Sequence, residues 1–133
     1  REITGDWEMY ALPFDQAPDL NGIPSQYVHN TAAGIPERLS GLPLLYEGVF
    51  NLTETGDTFM DMQNWGKGIV LVNGRNLGRF WNVGPQQTLY LPGVWLSKGE
   101  NRIMVFDQLG DQPKTGISSV KTPVLNDLRT DLL

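Results

Sequence analysis

The sequence predicts an all-β fold, a β-sandwich or jelly roll, on three observations. Short apolar runs rich in β-branched and aromatic residues recur along the chain with turn signals between them. Fifteen glycines and nine prolines suit many short strands better than long helices. A hairpin signature sits at the centre: Ile69-Val70-Leu71-Val72 runs into Asn73-Gly74, and the chain re-enters an extended pattern through Leu77, Phe80 and Trp81. An unbroken apolar run suits a strand covered on both faces, because a one-sided strand would alternate apolar with polar. Asn and Gly both accept positive φ, which a tight hairpin turn requires. A hairpin alone is only marginally stable, so the remaining residues must supply sheets that cover it.

Taken in order, residues 1–12 carry Trp7, Met9, Tyr10 and Leu12 ahead of Pro13 and read as an opening strand. Periodicity then disappears over residues 14–45, where Pro18, Pro24, Pro36 and Pro43 alternate with Gly22, Gly34 and Gly41. This long irregular N-terminal loop region, anchored by Tyr27, Ile35 and Leu39 and with a helical turn around 37–40, is expected to pack against something else. A strand follows from Leu44 to Leu52, then a turn at Glu54-Thr55-Gly56-Asp57 and a strand over 58–62. Beyond the hairpin, 87–91 reads as a strand closed by Pro92-Gly93, and Val94-Trp95-Leu96 leads into a turn at Lys98-Gly99-Glu100-Asn101. Residues 102–106 form a strong strand, 117–120 a weaker one, and 125–128 a short helical end.

At 133 residues the chain is one domain's worth, read as a single sandwich over 1–133 with room for a proper core. The net charge of −5 removes the attraction that drives nucleic-acid binding and disfavours anionic membranes. No apolar run approaches the roughly 18–20 residues that span a bilayer. With no cysteine there is no disulfide, thiolate metal site or thiol nucleophile, and the redox compartment stays open. The chain begins Arg1-Glu2-Ile3-Thr4, without Met or a signal peptide, and is read as a piece of something longer.

Gly66-Lys67-Gly68, Val72-Asn73-Gly74, Asn76-Leu77-Gly78-Arg79-Phe80-Trp81, Gly84-Pro85-Gln86, Thr88-Leu89-Tyr90, Pro92 and Gly99-Glu100-Asn101 occur in an order and spacing that resembles a known family. The likeness is to the C-terminal galactose-binding-like jelly-roll domain of family 35 β-galactosidases. Tyr46-Glu47-Gly48-Val49-Phe50, residues 57–62 and Trp7 through Pro13 are similar to the stretches leading into it. The resemblance implies a parent enzyme whose two catalytic glutamates lie in a separate barrel, followed by β-domains. None of those catalytic positions maps onto this sequence. It also implies the barrel and sister β-domains as partners, and a periplasmic or extracellular location for a bacterial parent or a lysosomal one for a eukaryotic parent. Related jelly rolls often carry a calcium ion, which loop carbonyls with Asp15, Asp19 or Asp107 would hold here, but no ligand loop of regular spacing supports one, and no cofactor is expected.

Catalysis by this chain alone is not expected. Glycoside hydrolysis needs two carboxylates flanking the bond. Asp57 and Asp61 have a usable spacing, but Asp57 reads better as a solvated turn residue. Glu47 on an apolar strand must be paired or shifted if buried, and a salt bridge to Arg79 or Lys67 is the plainer reading. His29 is the single histidine and cannot build a zinc site alone, and Gly66-Lys67-Gly68 leads into a strand, not a phosphate-binding helix. The remaining candidates are planar: sugars stack on Trp and Tyr while Arg, Asn and Gln fix their hydroxyls. Trp65, Trp81 and Trp95, with Tyr90, Arg75, Asn76, Arg79 and Gln86, offer that chemistry for a galactoside or for an interdomain contact. The competing reading puts Trp81 and Tyr90 in the core and makes Arg79 a loop tie. Asn51-Leu52-Thr53 is a glycosylation sequon, meaningful in a eukaryotic source if exposed.

Three functions compete: an accessory non-catalytic domain packed on the rest of a β-galactosidase, a carbohydrate-binding module, and a self-contained hydrolase. The first is favoured.

Overall fold

The computed structural model of the chain describes residues 5, 8–11, 13–19, 21, 41–109 and 116–132. Within them lie seven strands: β1 Leu44–Leu52, β2 Thr58–Asp61, β3 Lys67–Val72, β4 Arg75–Trp81, β5 Thr88–Leu91, β6 Gly99–Asp107 and β7 Ser118–Val120. They form one four-stranded sheet ordered β1-β6-β3-β4 and one three-stranded sheet ordered β5-β2-β7, with antiparallel pairing throughout. Every connection except the β3–β4 hairpin crosses from one sheet to the other. The all-β sandwich expected from the sequence is what the chain adopts.

Alternation sets the faces. Met60 of β2, Val70 and Val72 of β3, Phe80 of β4, Leu89 and Leu91 of β5 and Val105 of β6 meet with Met62 and Trp65 in one core between the sheets. Leu71 points the other way by its place in the strand and is also buried, as the unbroken aliphatic run requires. Phe14 contributes to that outer side, stacking on Phe106 with ring centroids 5.1 Å apart. Two-faced burial of β3 is what makes the hairpin the centre of the domain.

A register shift between Val70 and Leu71 leaves Leu77 as the extra residue on β4. This bulge, with Gly78 at φ 117°, lets Leu77 pack against the core while Asn76 pairs with outward-facing Leu71. Gly68 permits the closest strand approach, since a Cβ there would stand 1.8 Å from the Phe106 carbonyl oxygen.

Several expectations need correction. Residues 8–11 form neither strand nor helix, and Trp7 and Leu12 lie outside the described residues. So do Tyr27, His29, Ile35, Leu39 and the helical turn expected at 37–40. The anticipated turn at 98–101 is shorter, because Gly99 already pairs with Leu52 at the start of β6. The Asn101 side chain bonds Ser97 and Gly99 and so closes the turn in fewer residues. Residues 93–95 form a 3₁₀ turn. Residues 125–128 are not helical: Leu125 bridges to Gln86, and a 3₁₀ turn comes only at Thr130–Leu132. Glu47 pairs with Arg102, Nε to Oε1 2.7 Å, and not with Arg79 or Lys67, because β6 is its register neighbour.

Candidate functional site

The hairpin tip gathers most of the polar candidates. Asn73 and Gly74 sit at φ 49° and 78°, the paired positive values of a tight hairpin turn. Asn73 then does more than turn. Its Nδ2 donates to the Trp95 carbonyl at 2.8 Å and to Asn101 Oδ1 at 2.9 Å, and its Oδ1 accepts from the Arg102 backbone N–H. Asn101, 1% exposed, donates to the carbonyls of Ser97 and Gly99 and accepts from the Ser97 N–H. Two asparagines therefore clamp the hairpin to the loop entering β6. Sequence reasoning placed Asn101 in a turn and a motif but gave it no site role, although a Gly-x-Asn ahead of a strong strand was a usable signal.

Around this clamp stand Arg75, Asn76 and Trp95. The Arg75 guanidinium lies over the Trp95 ring, 5.4 Å from its centroid. Asn76 Nδ2 donates to the Phe14 carbonyl at 2.9 Å and its Oδ1 accepts from the Gly78 N–H at 2.7 Å. Asp15, Gln16 and Ala17 join residues 73–76 around an open depression of about 690 Å³.

Trp81, Arg79 and Lys67 occupy the other end of the hairpin. Trp81 is opposite Lys67 in register and 37% exposed, with Lys67 Nζ 4.4 Å from the ring centroid. Arg79 is exposed, and among the described residues it ties no loops together. Neither Trp81 nor Tyr90 fills the core, because each alternates away from it on its strand. Gln86 is exposed; its backbone carbonyl accepts from the Trp81 N–H after the cis Gly84–Pro85 bond.

Trp65 is placed differently. It is 5% exposed, its indole N–H donates to the Gly116 carbonyl at 3.1 Å, and its ring meets Tyr46 edge-on at 5.0 Å. It borders a cleft of about 550 Å³ between β1–β6 and β2–β7, with Tyr46, Phe50 and Ile117 on its apolar side and Glu54 and Ser118 among its polar groups. The expected residues thus fall into three places: the hairpin tip, the β4 outer face and this cleft.

The carboxylates hold structure together. Asp57 is exposed, yet its Oδ2 accepts from the Tyr90 hydroxyl at 2.7 Å and its Oδ1 from the Gly93 N–H at 2.8 Å. These bonds, the Gly93 one foremost, hold its pKa below the ordinary value, and the same contact raises that of Tyr90. Asp61 accepts from the backbone and side chain of Gln63, and Asp107 accepts from the Leu109 N–H. Of the other oxygen donors, Asp19 accepts from the Asn21 N–H. Asn51 of the sequon is exposed on β1.

Residues 43–101 match the family model described as the β-galactosidase galactose-binding domain. A human relative, β-galactosidase-1-like protein 2, is 52% identical over 68 residues, covering 50% of this chain and 11% of its own length. β-Galactosidase 1 of Dictyostelium discoideum is 36% identical over 126 residues, 92% of this chain and 18% of its own. A β-galactosidase of Xanthomonas manihotis is 33% identical over 91 residues, 68% of this chain and 13% of its own. The chain thus spans less than a fifth of the length of each of these relatives.

Proposed function

Because this chain carries a galactose-binding domain of the β-galactosidase kind, we propose that it is a non-catalytic accessory β-sandwich of a larger glycoside hydrolase acting on terminal β-galactosides. It packs against the catalytic barrel or a sister β-domain of that enzyme.

One observation carries this reading: apart from exposed Arg79 and Gln86, the polar groups suited to fixing a sugar are already engaged inside the domain. Lys67 lies over Trp81 and Arg75 over Trp95. The amides of Asn73, Asn76 and Asn101 bond the backbone of neighbouring loops. The carboxylates of Glu47, Asp57 and Asp61 likewise serve internal contacts, which leaves them poorly placed as the acid and base of hydrolysis. Large apolar side chains stand outward instead, among them Val49, Val94, Leu125 and Leu128, and suit a covered interface.

The test is a chromogenic one. The chain alone should release no nitrophenol from a nitrophenyl β-galactoside, whereas the longer polypeptide carrying it should; release by the chain alone would refute the accessory role.

Carbohydrate binding in the cleft beside Trp65 is the second reading. Its volume of about 550 Å³ falls within the range of small-molecule sites, and it combines aromatic walls with Glu54, Ser118 and Ser119. Saturable quenching of Trp fluorescence by galactose, abolished by Ser118→Trp at the cleft, would favour it.

A further inference from the structure

Residues 8–11 carry a β pattern that this domain does not use. In sequence, Trp7, Met9 and Ala11 fall on one side of an extended chain and Glu8 and Tyr10 on the other. The Tyr10 hydroxyl donates to Glu8 Oε2 at 2.8 Å, so these two side chains do share a side. Yet among the described residues the segment pairs with no strand, and Met9 and Tyr10 are 95% and 82% exposed. Pro13 lacks the N–H that would continue a ladder. Immediately after it the chain is pinned: Phe14 stacks on Phe106, its carbonyl accepts from Asn76, and Gln16 bridges to Arg75. A β-patterned segment therefore leaves the domain from a fixed point beside β4, with Met9 and Ala11 exposed.

We propose that residues 8–11 are a strand of a neighbouring β-domain in the same longer polypeptide, added to a free edge of that domain's sheet with Met9 against its apolar face. This rests on the accessory-domain reading. Backbone pairing supplies the attachment and the alternate side chains its register. A neighbour in the same polypeptide is favoured over a second copy of the chain, because a short tether holds it at millimolar effective concentration and more than four-fifths of each matched relative lies outside this chain. The segment would then be the stitch between two sandwiches, not part of this one.

Amide hydrogen exchange on the chain and on the longer polypeptide tests this. Residues 8–11 should exchange freely in the chain and be protected on the order of 100-fold in the longer protein. Met9→Asp should lower the melting temperature of the longer polypeptide and leave that of the chain unchanged, while Met9→Leu changes neither. Free exchange in both proteins would overturn the proposal while leaving the accessory reading intact. Protection in the isolated chain together with a dimeric mass would overturn it in favour of a second copy. A longer polypeptide whose only other domain is a catalytic barrel would overturn the proposal and leave the accessory reading intact, and one with neither a barrel nor another β-domain would refute both.

Discussion

Asn73 Nδ2 lies 2.9 Å from Asn101 Oδ1, joining the tip of the β3–β4 hairpin to the start of β6 across 28 residues of sequence. Asn101 also bonds Ser97 and Gly99 of its own loop, while Asn73 reaches across to the Trp95 carbonyl and the Arg102 N–H, so the pair closes that loop and ties the hairpin to it. Asn101→Ala would remove the side-chain partner of the Ser97 N–H and of the Ser97 and Gly99 carbonyls, and one of the two acceptors of the Asn73 amide. The expected loss is about 2–4 kcal/mol, read as a lowered urea midpoint with an unchanged m-value. A change below about 0.5 kcal/mol would mean that water replaces the clamp.

Glycine positions divide by what a methyl group would meet. Gly68→Ala should cost about 3 kcal/mol or more, since the new Cβ would collide with the Phe106 carbonyl and part β3 from β6. Gly56→Ala meets nothing within 4 Å and should fall within about 0.5 kcal/mol of the parent. Paired chemical denaturation curves check both.

The strands were legible because each has a local cause. Leu44–Leu52 alternates, 69–72 is continuously apolar, and Asn73-Gly74 can only turn, so β1 and the hairpin follow from the residues themselves. The start of β6 was hidden because Asn101 replaces backbone bonds with side-chain ones, which composition does not reveal. Trp81 and Tyr90 read as core because bulk alone suggests burial; only the sheet registers show which side of each strand they occupy. Of the candidate site, the residue types were visible but their separation into tip, outer face and cleft was not, since that depends on the bulge at Leu77 and on sheet order.

Phe80 and Trp81 are adjacent and face opposite ways, which gives a sharp contrast. Phe80→Ala should cost about 3–5 kcal/mol by emptying the core. Trp81→Ala should cost about 1 kcal/mol, chiefly the Lys67 contact. Equal losses would contradict the outward placement of Trp81. Guanidinium titration of both variants decides it.

Acid should expose the role of Asp57. Its pKa is lowered in the folded state, so its contribution is fully present above the unfolded value of 3.8 and is lost as pH falls through the folded value. The melting temperature of the parent should therefore drop more steeply below pH 3.8 than that of Asp57→Asn. For Tyr90, raised from 10.0, the sign reverses: stability is held below pH 10 and lost as pH climbs through the raised value. Identical acid limbs for the parent and Asp57→Asn would show that the Asp57 contacts to Tyr90 and Gly93 do not persist in solution.

Isothermal titration of the chain with galactose and with a β-galactoside tests most directly the claim that its sugar-suited side chains serve its own loops. No heat beyond dilution at millimolar sugar is the predicted result. A saturable isotherm, lost when Trp65, Trp81 or Trp95 is replaced by Ala in a variant that still folds, would contradict it.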